Sequence, residues 1–133
     1  MKNDEEILQM LREATDGLLF MSESDYPFEL VSRGPMDEVT PDYLCREAGA
    51  APGLPVQVMS LEQFFERAMS EPEWKGEQEL VIARRYQTLV RLLEENLDEL
   101  RVYKIGEINI PVYILGRSSS GNWLGLSTRV VET

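Results

Sequence analysis

Carboxylates are the chemistry this chain holds in surplus, with 24 Asp and Glu against 13 Lys and Arg, no His and one Cys. Paired carboxylates can exchange protons or hold a hard cation. Here they are scattered along the chain, and no spacing singles out an acid and a base. DEEI (Asp4–Ile7) and EPEW (Glu71–Trp74) lack the spacing of a calcium loop. One Cys without His cannot build a zinc cluster, and one Cys cannot close an internal disulfide. Ser118, Ser119 and Ser120 stand in a row, but no His exists to activate them, and Lys2, Lys75 and Lys104 have no motif around them. The segment from Gly116 to Trp123 lacks the Lys and the following helix of a phosphate-binding loop, so it reads as a hairpin-type connection. Cys45 reads as a buried or half-buried free thiol. No catalytic set emerges, no metal or cofactor of the chain's own is expected, and neither is an enzyme.

Carboxylates can also recognise a partner, if a stiff support holds them outward. Glu23 and Asp25 occupy a short segment braced by Phe20, Tyr26, Pro27 and Phe28. The sequence closes on VVET, which puts Glu132 and the α-carboxylate of Thr133 just beyond an expected strand. Trp74 lies among acids in EPEWKGE, as a lid over the core or as an aromatic anchor of the kind enriched at interface hot spots. Glu5, Glu6, Glu94 and Glu95 read as solvated helix faces.

The elements that must position these groups follow from periodicity and punctuation. Ile7, Leu8, Leu11 and Ala14 form a helical stripe over Asp4–Thr15, with Asn3 as cap, Glu6 as capping-box acid and Gly17 as stop. Ser22 to Phe28 reads as an ordered loop, and Phe28 to Ser32 as the start of a sheet. Residues 33–55 are rich in Pro and Gly, with a short helix from Thr40-Pro41 through Arg46. Val56–Met59 reads as a strand. Ser60 and Gln63 then make a capping box for a helix burying Leu61, Phe64, Phe65 and Ala68. A long helix over Glu77–Asn96 is expected to bury Ile82, Tyr86, Leu89, Leu93 and Leu97. Strands come next at Arg101–Ile105, Ile108–Leu115 and Trp123–Val131, with Pro111 suggesting an edge or a bulge. The pattern predicts one α+β domain over residues 1–133, a mostly antiparallel sheet with helices on both faces.

The net charge of -11 argues against nucleic acid and anionic membrane as partners. It is uneven: -6 over residues 1–30, -7 over 31–100 and +2 over 101–133. A solvated acidic surface is one reading; a docking face for a basic protein is the other. The N-terminal segment has no apolar stretch of signal-peptide length and no segment approaches 18 apolar residues, so a cytoplasmic protein is expected.

The segment TDGLLFMSESDYPFE, Thr15–Glu29, resembles the signature of the nuclease A inhibitor family. The runs YQTLVRLLEENL, VYKIGEINIPVYILG and GNWLGLSTRVVET resemble the same family, in the same order, over most of the chain. The resemblance implies an α/β/α sandwich that binds a sugar-nonspecific ββα-metal nuclease one to one and blocks its active site. The Mg²⁺ or Mn²⁺ involved belongs to that nuclease. By match of motif, the implied metal-approaching groups are Glu23, within MSES, and the carboxylate of Thr133, within VVET. Ser118–Ser120, Trp123-Leu124 and the length of the Pro/Gly-rich middle depart from the family pattern. A scaffold relative with a different protein partner is therefore the alternative.

Overall fold

The computed structural model describes residues 3–21, 24–50, 53–71, 73 and 76–132. Four helices run Asp4–Thr15 (α1), Pro41–Glu47 (α2), Leu61–Met69 (α3) and Glu77–Asn96 (α4). Seven strands run Leu19–Met21 (β1), Asp25–Pro27 (β2), Glu29–Arg33 (β3), Val56–Met59 (β4), Asp98–Ile105 (β5), Asn109–Arg117 (β6) and Trp123–Val131 (β7). Five of the strands make one antiparallel sheet in the order β3-β7-β6-β5-β4, while β1 and β2 form a separate hairpin.

Period-two alternation divides the sheet's side chains between two cores. Val102, Ile110, Val112, Ile114, Leu124, Leu126 and Val130 face α1, α3 and α4, where Ile7, Leu11, Phe65, Leu89 and Leu93 are buried with them. Val31, Tyr103, Ile105, Leu115 and Trp123 face the other way and pack with Leu44 and Cys45 of α2. The result is an α+β fold of α/β/α layering, a central antiparallel sheet between helices. Each fully buried Leu or Phe contributes about 1.5–3 kcal/mol, so the larger, three-helix core carries most of the stability.

Local chemistry sets the helix ends. Asn3 Oδ1 accepts from the Glu6 N–H at 2.8 Å, and Thr40 Oγ1 accepts from the Tyr43 N–H at 3.2 Å. A complete capping box forms at Ser60 and Gln63; at Asn3 and Glu6 only the backbone-to-cap half forms. The Pro/Gly-rich middle is held by its carbonyls: Met36 O accepts from Trp123 Nε1 at 3.0 Å and from Arg117 Nη2 at 3.1 Å.

Three expectations need correction. Ser24 to Phe28 is not a loop, because Asp25–Pro27 pairs with Leu19–Met21 as a hairpin. The aromatic residues that braced the expected loop serve a strand pair instead. Ile82 is not on the buried face of α4 but 43% exposed, and fully buried Ala83 takes its place beside Tyr86, Leu89, Val90 and Leu93. The rest of the expected face, Tyr86, Leu89 and Leu93, is buried as expected, so the difference is confined to the first turns of the helix. Pro111 is neither at an edge nor at a bulge. It lies in the central strand β6, in register with Arg129, and the β5 ladder ends one residue away at Val112, where a missing N–H costs nothing. The irregularity falls instead between Asp98 and Arg101, where Glu99 takes φ 54°.

Candidate functional site

The antiparallel register brings distant segments to one end of the sheet. There β3, β4 and β6 begin and β5 and β7 finish, so residues 24–28, 53–55, 106–108 and 132 share a rim. Of the expected site residues, Asp25 and Glu132 are described and both belong to this rim. Glu23, Trp74 and Thr133 lie outside the described residues.

The β1–β2 hairpin is fixed from below by aromatic packing. Phe20 stacks on Phe64 with ring centroids 4.6 Å apart and meets Phe28, Phe65 and Tyr86 edge-on. Such contacts add about 0.5–1.5 kcal/mol each beyond area burial. The Tyr86 hydroxyl donates to Leu19 O, and Thr128 Oγ1 donates to Pro27 O at 3.0 Å, tying the hairpin to α4 and to β7. Burial pushes the Tyr86 phenol up, against the pull of Arg85 and with a contribution from the Asp25 carboxylate, so this donor keeps its proton. Asp25 itself is exposed, on the strand that leaves the turn.

Glu132 is tied at two points. Its N–H donates to Ile108 O at 2.9 Å, and its carboxylate pairs with Lys104 Nζ at 2.9 Å. Nothing in the sequence around Lys104 marked it. Its contact depends on the order and register of β5, β6 and β7, which set Lys104 level with Val112 and Thr128 and within reach of Glu132, and no local motif encodes that. Arg85 was equally hidden: its Nη2 donates to Ala14 O and Asp16 O at 3.0 and 2.7 Å, docking the end of α1 on α4.

The serine loop lies at the opposite end of the sheet, before β7. Its polar groups are used internally. Ser120 Oγ donates to Asp4 at 2.9 Å and Asn122 Nδ2 at 2.7 Å, while Ser118 and Ser120 share a bond of 2.8 Å. Burial opposes ionisation of Asp4, and the bonds from Asn122, Ser118 and Ser120 outweigh it, holding the carboxyl below its ordinary value. On the α2 side of the sheet, a shallow cleft of about 350 Å³ opens between Tyr26, Glu47, Tyr113 and Arg129. No group of three metal-binding side chains comes together among the described residues.

The chain thus combines a braced hairpin, a strand end leaving beside it and a fold of three layers. A family model described as nuclease A inhibitor-like protein (NuiA) matches residues 5–133. The chain belongs to this family. No curated protein matches it. The match spans the hairpin, every strand of the sheet and the rim.

Proposed function

We propose that the chain is a protein inhibitor of a basic, sugar-nonspecific ββα-metal nuclease, bound one to one, with no catalysis of its own. The observation that carries this reading is the family match over residues 5–133. The rim supports it: the hairpin that carries Asp25, two residues after Glu23, is tied to β7 through Thr128 and Pro27, and β7 runs on to Glu132, next to Thr133. A phosphodiester-cleaving cleft is electropositive around a hard cation, and carboxylate oxygens substitute there for phosphate oxygens. Glu23 and Thr133 approach the nuclease's Mg²⁺ or Mn²⁺, directly or through its water. Asp25 and Trp74 contribute to the surrounding contact, which supplies most of the affinity.

The test is titration of the purified protein into a DNase assay with a Mg²⁺-dependent ββα-metal nuclease. Activity should vanish at one equivalent. Glu23→Ala should weaken binding by about 1–4 kcal/mol with an unchanged melting temperature, and residues added after Thr133 should weaken it more than residues added before Met1. Wild-type protein that binds no such nuclease would overturn the reading and leave an acidic protein-binding module with another partner.

A further inference from the structure

The geometry points to Lys104 as a positioning residue that aims the chain leaving β7. This rests on the inhibitor reading for its functional consequence, though not for its structural content. Lys104 lies on β5 and Glu132 just past β7, with the whole of β6 between them. The register sets Lys104 level with Val112 and Thr128, four residues short of Glu132, and strands two apart are separated by roughly 10 Å, so the two side chains reach toward each other diagonally past β6 to make their contact of 2.9 Å. Only a long, flexible cation does this, with its stem along the sheet and its ammonium at the far strand. The Lys104 side chain is 13% exposed, so it is held down on the sheet rather than waving in water.

Both residues are on the face that packs against α1, α3 and α4, by the same alternation that buries Val102 and Val130. Glu132 N–H is independently fixed by Ile108 O at the turn between β5 and β6. Backbone and side chain of one residue are therefore anchored to two separate elements. Two anchors fix Glu132, the residue before Thr133 in the sequence, in place. The Glu132 side chain is itself 53% exposed and is held by Lys104 at the surface, so it serves as an anchor while still facing solvent. Holding Glu132 in place removes an ordering cost at binding.

The charges make the inference testable, because removing either partner shifts net charge in opposite directions. Lys104→Met makes the protein more acidic, and Glu132→Ala makes it less so. If these groups act only through the overall field, Lys104→Met tightens binding to a basic nuclease and Glu132→Ala weakens it. If they form the clamp, both weaken binding by about three- to tenfold, through faster dissociation. The double variant is then no weaker than the worse single one, and Lys104→Arg restores most of the affinity. Stopped-flow and competition kinetics read all of this, with melting temperatures as the control for folding. Wild-type protein that inhibits, beside Lys104→Met that inhibits equally or better, overturns the inference alone. Amide hydrogen exchange at Glu132 supplies a readout without any nuclease. Exchange should accelerate in Lys104→Met, and an unchanged rate would dismiss the clamp whatever the partner proves to be.

Discussion

Gly125 is a position where one added methyl group would meet the backbone of a neighbouring strand. It faces Leu115 on β6 and Val31 on β3, and a Cβ built there would lie 1.8 Å from the Ile114 carbonyl oxygen and 3.2 Å from Leu115 Cα. Both are backbone atoms of a central strand, so no side chain can rotate away. Gly125→Ala should cost about 3 kcal/mol or more, measured by urea denaturation; a cost under 1 kcal/mol would mean that β6 and β7 are less closely apposed. Asp4 shows a gentler residue-scale effect. Its carboxyl is held below the ordinary value of 3.8 by Asn122, Ser118 and Ser120 against the opposing effect of burial. A depressed acid adds stability that is present above its unfolded pKa and is lost as pH falls through its folded one. The wild type should therefore lose this share below about pH 4, and Asp4→Asn should flatten the acid limb there. The change will be modest, since solvent screens so open a site. Melting curves from pH 2 to 7 would show it; identical acid limbs would remove Asp4 from the loop's stability.

At the scale of elements, α4 shows what packing adds to periodicity. Leu89 is fully buried, so Leu89→Ala should cost about 2–5 kcal/mol, whereas Ile82, 43% exposed, should cost under about 1 kcal/mol when cut to Ala. Equal losses in denaturation would show the helix rotated from the described face. The bounds of α1, β4, α4 and β7 were legible in the sequence because caps, breakers and alternation are local signals. The buried edge of α4 was less so. Val81, Ile82 and Ala83 are adjacent, and apolar character alone cannot say which faces the sheet when a small residue fits best. The β1–β2 hairpin was unreadable for a related reason. Each strand has three residues, too short for alternation, and pairing rather than pattern makes it. At the site, Asp25 and Glu132 stood out as exposed carboxylates on stiff supports, while Lys104, Arg85 and Tyr86 did not. Their partners lie 28, 69 to 71 and 67 residues away in sequence, and contacts that long-ranged leave no local trace.

The whole molecule carries an acidic field, and several of its described cations are engaged internally. Arg33 pairs with Glu47, Arg84 with Glu71, Lys104 with Glu132 and Arg117 with Glu99. Arg117 also lies 4.8 Å over the Trp123 ring, and Arg85 is bound to carbonyls at the end of α1. With 24 acids against 13 bases, most of the negative charge remains facing solvent, and its net value of -11 acts as a unit at distance. Such a field steers a basic partner into encounter, and it does so over a Debye length of about 10 Å at 0.1 M salt but only about 3 Å at 1 M. Association with a basic nuclease should therefore slow by about 10- to 100-fold between low and high salt. Dissociation should change much less, because it breaks short contacts from which water and ions are already excluded. This separation would tell steering from contact: on the proposed inhibitor reading, the field would govern arrival and the rim residence. Stopped-flow association at several ionic strengths, paired with chase experiments for dissociation, would measure both. An association rate indifferent to salt would mean that the acidity serves solubility alone, and that recognition begins only when the rim touches its partner.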